Sequence, residues 1–442
     1  MTWETLVRTG GLLLPVLVFW GLWAWRRPDA RARAAAMLAF CWHVPALLLV
    51  HEVALRAGWW GFEAADGGLF RGLPVDLWIG WATLWGALPA LALARMPLVA
   101  VAGLALLVDL ALMPLCAPVV RLGPGWLLGE AVAVAVALVP GQLLARWTLD
   151  DRRLLARATL QAIGFGGLTV VVALCAVELV RGDWSGVRAL PGWWLVVAAQ
   201  LVLAPLGLGV SAAQEFARRG GGTPFPLDPP RRLVTSGAYA YVANPMQVSV
   251  LLAFVVAAAA LREPWVAAAG VVVVAFGAGV AGWSEDRDLA ARFGPPWRAY
   301  RASVRRWLPR WRPFHPAAAQ AVIPALAGAR PALLYVAEGC APCSGLRAFL
   351  ELRGPVGLVL VAAEDHPARD LERLTYDPGD GGPEESGVHA LGRALEHLHL
   401  GWATLGLALR LPVTSALAQV LADACGGGPR RVERRARPAP DC

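Results

Sequence analysis

The sequence predicts a polytopic α-helical membrane protein of about nine transmembrane helices, followed by a C-terminal α/β domain. Hydrophobic residues make up 57% of the 442 residues and charged residues only 16%, a balance that soluble domains rarely reach. Before residue 284 the apolar residues form runs of about 20, the length of a helix that crosses a bilayer. Past residue 331 the composition becomes that of a soluble domain.

The distribution of Arg orients these runs, because cytoplasmic loops of membrane proteins are rich in basic residues. With the N-terminus outside, the cytoplasmic segments of the membrane region hold 21 Arg and the opposite side holds 7. We therefore expect a multi-pass protein of the cell inner (cytoplasmic) membrane, with the lipid bilayer as partner and the C-terminal domain in the cytoplasm. The net charge of +8 belongs to these loops and indicates no nucleic-acid partner. The predicted spans are residues 6–25, 37–55, 74–94, 97–116, 126–145, 160–180, 191–210, 246–261 and 264–283.

Spans and composition together divide the chain into five regions. We expect a membrane module of about five spans and unknown role at 1–150, and a second membrane domain of about four spans at 151–315. An Ala/Pro-rich linker follows at 316–330, an α/β domain at 331–428, and a basic tail at 429–442 that we expect to be disordered. No metal site is expected, because the pair of His residues in the second span lacks a third ligand.

The loop between the seventh and eighth spans, residues 224–247, is called the elbow below. Four Pro residues make its first part rigid, so that it can cover a cavity. Asn244 and Pro245 predict a helix start, because Asn is a preferred N-cap and Pro is favoured at the first helical position. A helix N-terminus favours an anion, whereas the ring faces of Tyr239 and Tyr241 suit a cation such as a sulfonium. The elbow therefore suits a zwitterionic, sulfonium-bearing cofactor.

Two adjacent carboxylates, Glu285 and Asp286, follow the ninth span. They suit ribose hydroxyls or an ammonium group, although each residue taken alone is more often part of an ordinary polar helix end. Phe293 and Gly294 predict the end of the helix that these carboxylates start.

The elbow and this acidic segment together resemble the isoprenylcysteine carboxyl methyltransferase and phospholipid methyltransferase superfamily over about residues 155–312. Ala240 and Ala243 stand where the superfamily usually has Arg, and Asp286 stands where it has Glu. The resemblance implies a methyltransferase-like domain that binds S-adenosylmethionine from the cytoplasmic side. The implied cofactor-binding residues are Tyr239, Tyr241, Asn244, Pro245, Glu285, Asp286 and Tyr300.

The resemblance also implies a lipophilic acceptor that arrives through the bilayer, a small molecule or a prenylated or thiol-bearing compound with a carboxylate, thiol or amine. Methyl transfer is an in-line displacement, which mainly requires that both reactants be oriented. Arg231 and Arg232 are candidates to hold an acidic acceptor, although a juxtamembrane Arg pair more often contacts lipid headgroups.

The C-terminal domain begins with a pattern of strand, Cys-Ala-Pro-Cys, helix and strand. The strands are predicted at 333–336 and 356–362, and the helix runs through Leu352. This order is the start of an α/β thioredoxin-like cytoplasmic domain, in which a helix N-terminus favours the thiolate form of the first Cys. Cys340 is then the nucleophile and Cys343 the resolving thiol. A structural disulfide, a zinc knuckle and two core cysteines are the alternatives.

Later segments of this domain resemble the DCC family of thiol-disulfide oxidoreductases over about residues 331–430. The resemblance is carried by residues 376–382, 385–391 and 409–412, while Ala337 replaces the family's Asp before the first Cys. It implies thiol-redox exchange with a partner protein.

The sequence therefore predicts a membrane methyltransferase that uses S-adenosylmethionine, fused to a thiol-disulfide oxidoreductase domain. Two alternatives stay open. One is an NADPH-dependent membrane reductase of the sterol-reductase type, whose elbow and acidic motif are similar. The other is a non-catalytic membrane anchor for the redox domain.

Overall fold

The computed structural model describes residues 2–63, 67–117, 119–182, 184–223, 229–276, 279 and 282–435. The chain divides into two compact units, Met1–Ser185 with Gly222–Pro229, and Gly186–Gly221 with Pro230–Cys442. Each unit is described by itself. The predicted boundaries at 150 and 315 stay predictions.

The first unit is built from long apolar helices with short antiparallel strands between them. β1 pairs with β4, and β2 pairs with β3. π-helical turns connect α3 to α4 and α6 to α7, so that each pair forms one long helix. The helices are α1 (Trp3–Arg26), α2 (Ala30–Ala57), α3 (Val75–Ala82), α4 (Leu88–Ala92), α5 (Leu98–Leu112), α6 (Trp126–Ala133), α7 (Val139–Leu149) and α8 (Leu154–Arg181), and the strands are β1 (Trp60–Phe62), β2 (Leu69–Phe70), β3 (Leu73–Pro74) and β4 (Val120–Leu122).

The helices of the first unit differ in how much apolar surface they bury. In the most apolar 18-residue window of α2, 67% of the window is buried, compared with 6% in α1. Water disfavours so much exposed apolar surface, whereas lipid tails accommodate it. The burial pattern therefore fits a helix in the centre of a membrane bundle and another at its lipid-facing edge.

The second unit joins membrane-length and shorter helices to a four-stranded sheet. After α9 (Ser185–Arg188), whose first residue belongs to the other unit, α10 (Gly192–Glu215) continues through a π-helical turn to Gly220. The other helices are α11 (Pro245–Leu261), α12 (Pro264–Phe276), α13 (Gly282–Ser303), α14 (Pro316–Ala319), α15 (Ala341–Arg353), α16 (Val388–Glu396), α17 (Leu400–Leu409) and α18 (Pro412–Ala422). The strands are β5 (Ala332–Val336), β6 (Leu358–Ala362), β7 (Thr375–Asp377) and β8 (Glu385–Ser386).

The sheet has the order β6-β5-β7-β8. β5 is parallel to β6 and antiparallel to β7, and β8 is antiparallel to β7. Its core contains Leu334 and Val336 from β5, Leu350 from α15, and Ala390 and Ala394 from α16. The strands and helix predicted around the two Cys residues thus lie where the sequence places them.

Among the residues that the structure describes, seven helices are long and apolar enough to cross a membrane, and they correspond to the first seven predicted spans. The chain is therefore a mostly helical membrane protein. The eighth predicted span corresponds to the 17-residue α11, and the ninth to the 13-residue α12, after which residues 277, 278, 280 and 281 lie outside the described residues. These two spans and the orientation stay predictions.

Two predictions for this unit concern the end of a helix at Gly294 and the C-terminal tail. The predicted helix end at Gly294 is confirmed, because α13 breaks there at a positive φ of 56° before Pro295 and Pro296. The expectation of a disordered tail is wrong for its described part. Val432 exchanges backbone hydrogen bonds with Leu371, and Arg435 pairs with Asp365 at 3.1 Å.

Candidate functional site

The two cysteines lie where strand β5 passes into helix α15. Cys340 is the N-cap residue of α15, and a disulfide joins it to Cys343 in the first turn, with a Cα–Cα distance of 5.1 Å. Cys343 packs against the sheet core, whereas the neighbours Ala341 and Pro342 are exposed. The position of Cys340 at the helix N-terminus favours a thiolate after reduction. The turn between the two cysteines therefore faces solvent.

Three predicted cofactor-binding tyrosines, Tyr239, Tyr241 and Tyr300, are buried. The Tyr241 hydroxyl donates to the carbonyl oxygen of Glu396 at 2.9 Å, and the Tyr300 hydroxyl donates to the carbonyl oxygen of Tyr239 at 2.9 Å. Burial raises the pKa of both Tyr241 and Tyr300, so that both phenols remain donors. The Tyr239 ring packs against Phe216 with centroids 5.9 Å apart. The aromatic wall expected for a sulfonium is thus occupied by protein.

The helix start at Asn244 and Pro245 is confirmed, because α11 begins at Pro245. Asn244 is the N-cap residue, as predicted, but its side chain makes no capping hydrogen bond to the backbone, and its amide Nδ2 instead donates to the Gln247 Oε1 atom at 3.1 Å. The backbone N–H of Asn244 is already bound to the carbonyl of Arg306 at 3.2 Å. Segment 305–314 thus runs along the elbow and fixes the entry into α11.

Of the two acidic residues after α12, the structure describes the side chain of Asp286. Asp286 forms an ion pair with Arg306, so its carboxylate already has a protein partner. Glu285 lies in α13, but its side chain lies outside the described residues. Of the proline-rich cover expected over residues 224–230, residues 224–228 also lie outside them.

A buried cluster of charges lies between the end of α10 and the C-terminal helices, and sequence reasoning missed it. Arg393 binds both carboxylate oxygens of Glu215 at 2.8 Å, and Arg410 binds Glu396 at 2.5 Å. Glu215 is fully buried. The charge cluster consists of Glu215, Arg219, Glu385, Arg393, Glu396 and Arg410, three carboxylates and three guanidinium groups.

The balance of signs explains how these charges remain buried, because each one has partners of opposite sign. Burial disfavours the charged form of Glu385, but Arg393 and Arg410 outweigh it and hold the pKa of this carboxyl below its usual value. The Ser236 hydroxyl of the elbow donates to Glu215 at 2.5 Å. An acidic residue at the end of an apolar span was the one sequence signal, since its partners lie 178 and 195 positions away.

A cavity of about 520 Å³ adjoins the charge cluster. This volume is within the range of small-molecule pockets. Tyr239, Tyr241 and Arg231 lie outside the lining, whereas the elbow residues that line it are Arg232, Leu233, Thr235, Ser236, Gly237 and Ala240. The other sides are formed by residues that include Arg219, Phe314, His315, Arg330, Tyr376, Asp380, Arg393, Glu396 and His397.

Two neutral histidines form part of the cavity wall. Burial lowers the pKa of His315 to about 4 and that of His397 to about 3. His397 Nδ1 lies 2.7 Å from the carbonyl oxygen of Val356, and its Nε2 lies 2.9 Å from the Tyr376 hydroxyl. The carbonyl can only accept, so Nδ1 carries the proton and Nε2 accepts from Tyr376. The positive charge of the cavity therefore comes from Arg side chains alone.

The fold and these sites define a helical membrane protein with an α/β domain that carries a Cys-x-x-Cys pair. Comparison with known proteins finds no match among family models, curated proteins or solved structures.

Proposed function

We propose that the C-terminal domain catalyses thiol-disulfide exchange through Cys340 and Cys343. The observation that carries the proposal is the cysteine pair at the start of α15, between the parallel strands β5 and β6. This parallel strand-helix-strand unit, followed by the antiparallel β7 and β8, supports the thioredoxin-like assignment. A structural disulfide has no need of a helix N-terminus, whereas a reactive thiolate gains from it.

The exchange is a two-electron transfer in two steps. A thiolate of a dithiol partner attacks Sγ of Cys340, and the Cys343 thiolate leaves and takes up a proton. The second partner thiol then attacks the mixed disulfide and releases Cys340, so that the partner is oxidised and the pair is reduced. Cys343 packs against the core, which suits the role of resolving thiol, and leaves Cys340, the N-cap residue of α15, as the sulfur for a partner to attack.

Redox titration of the full chain in lipid nanodiscs tests this function. We expect the pair to equilibrate with a glutathione buffer at a potential between about −270 and −120 mV, the range of catalytic dithiols. A potential below about −300 mV would identify a structural disulfide and overturn the proposal. Cys343→Ser should trap a mixed disulfide on Cys340, whereas Cys425→Ser, which alters an exposed free thiol of the same unit, should leave the titration unchanged.

A second candidate function, S-adenosylmethionine-dependent methyl transfer, is favoured by the cavity beside the elbow. Ala240 lines it at a position where the superfamily usually has Arg, and Arg232 and Arg330, which lie outside the charge cluster, line the same cavity. Guanidinium groups suit the carboxylate of a zwitterionic cofactor. The cofactor would supply the methyl group, and the residues of the cavity would bind and orient it. The buried Tyr239 and Tyr241 would then stabilise the shape of the elbow and would not contact the cofactor directly.

Titration calorimetry with S-adenosylmethionine on the detergent-purified chain tests this second function. Arg232→Ala should weaken binding. Arg231→Ala is the matched control, because Arg231 is the neighbour of Arg232 in the chain but does not line the cavity. Thermal protection by NADPH alone would instead support the reductase alternative. Absence of binding for both compounds would leave the membrane region as an anchor for the redox domain.

A further inference from the structure

Helix α18 has its polar and apolar faces reversed relative to a helix on a soluble domain. Ser415 is buried, and Gln419 accepts a hydrogen bond from the backbone N–H of Val388 at 2.9 Å. The outward face carries Val413, Leu417, Val420 and Leu421, which are 72%, 62%, 67% and 65% exposed. These four positions follow the spacing of one helix face. In water this face would expose a continuous apolar patch.

The preceding helix, α17, runs along α10 towards the membrane. Ala403 packs with Ala240 and Tyr241, and Leu407 packs with Ala212. At the end of α17, Cδ1 of Leu411 lies 3.3 Å from the place where a Cβ on Gly207 would be. Successive contacts along α17 therefore move towards the N-terminal end of the transmembrane helix α10.

The depth of this contact follows from the length of α10. Trp193 and Trp194 mark the N-terminal end of the span, where aromatic residues are typical of the membrane interface. At 1.5 Å per residue, Gly207 lies about 22 Å from Gly192 along the helix. That distance falls within a hydrocarbon core about 30 Å thick. Leu411 is thus placed below the bilayer surface, whereas Glu215, about 34 Å along, lies beyond the hydrocarbon core.

The chain then turns. The segment Val413–Gly427, which begins with most of α18, makes an angle of 91° with α17. If α17 descends along the span, α18 lies across it, near the plane of the membrane. Its polar face is held against the α/β domain, so its apolar face points away from that domain.

We infer that the turn between α17 and α18 enters the cytoplasmic leaflet and that the outward face of α18 contacts lipid acyl chains. The occupant follows from continuity with the span. Leu203 and Val210 of α10 lie on the same helix face as Gly207, are 62% and 39% exposed, and flank the position of Leu411. The apolar face of α18 therefore extends the lipid-facing surface of a transmembrane helix. The charge cluster marks the level at which polar groups resume.

Spin-label accessibility in the full chain, reconstituted in phosphatidylcholine nanodiscs, tests this inference. The seven native Cys are replaced by Ser, and a nitroxide is attached at Leu417→Cys, at Leu421→Cys, or at Ala348→Cys on the exposed surface of α15 as the control. At 417 and 421 we expect collisions with oxygen to exceed those with a water-soluble nickel chelate. At 348 we expect the reverse order.

Two other results would each overturn the inference. If the nickel chelate reaches position 417 as readily as position 348, the helix faces water. If neither oxygen nor nickel reaches position 417, protein covers the face, either a second copy of the chain or another partner. Val420→Cys reports on the same face and serves if the label at 417 prevents folding.

Discussion

The cysteine pair and the elbow were both predicted from local patterns, yet the structure uses their side chains in different ways. Around Cys340 the strand, the turn and the helix form where the sequence places them, and the predicted pair meets within one helical turn. In the elbow the helix start is also where it was predicted, but Tyr241 contacts Glu396, 155 positions away. A local pattern fixes where an element begins. The partner that a side chain finds is fixed by residues far along the chain.

The largest expected effect comes from breaking the charge cluster, whose members lie far apart in the chain. Glu215→Gln leaves Arg393 and Arg410 buried without their shared carboxylate. Removing one partner of a buried ion pair typically costs about 3–5 kcal/mol in the free energy of unfolding. Thermal unfolding in detergent measures the loss, with Glu351→Gln on the exposed face of α15 as control. Equal melting temperatures for the two variants would show that the cluster does not hold the elbow in place.

A smaller loss is expected from Tyr241→Phe, which keeps the ring and removes only the hydroxyl. The carbonyl oxygen of Glu396 then loses a buried donor, at a cost of about 1–3 kcal/mol. A ring that served a sulfonium would tolerate this change, because phenylalanine preserves the aromatic face. Denaturant unfolding of the two proteins distinguishes these roles. Unchanged stability would return Tyr241 to the list of cofactor-binding candidates.

Much of the fold could be predicted from hydropathy, Gly and Pro, because these signals are local. Seven spans, the break at Gly294, the start of α11 and the strand-helix-strand unit around Cys340 follow from patterns within about 20 residues. The charge cluster could not be predicted, because it joins Glu215 on a span to Arg393 and Arg410 in the α/β domain. The same limit applies to the cavity, whose lining comes from several separated segments of the second unit.

The neutral histidines of the cavity predict a pH dependence. Since burial lowers the pKa of His315 and His397 below 6.5, the unfolded chain binds more protons than the folded chain between pH 6.5 and the folded values of about 4 and about 3. The stabilisation from the neutral rings is complete above pH 6.5 and falls as pH decreases through this window. Each group contributes at most about 1.4 kcal/mol per pH unit. His397→Gln should flatten the measured slope of unfolding free energy from pH 6.5 to 4, and an unchanged slope would contradict the assignment.

The smallest expected effect concerns the tail. Its basic composition predicted disorder, but its described residues pair with residues far away in the chain. Arg431 pairs with Asp370 at 2.8 Å, and Arg435 pairs with Asp365 at 3.1 Å, both on the protein surface. Exposed ion pairs contribute little and are screened by salt, so Arg435→Ala should leave global unfolding unchanged. It should instead speed local amide exchange at Val432, whose N–H binds the carbonyl of Leu371 at 2.7 Å. Fast exchange at Val432 in the unaltered protein would instead support the prediction of a disordered tail. Composition alone would then predict the structure of this region.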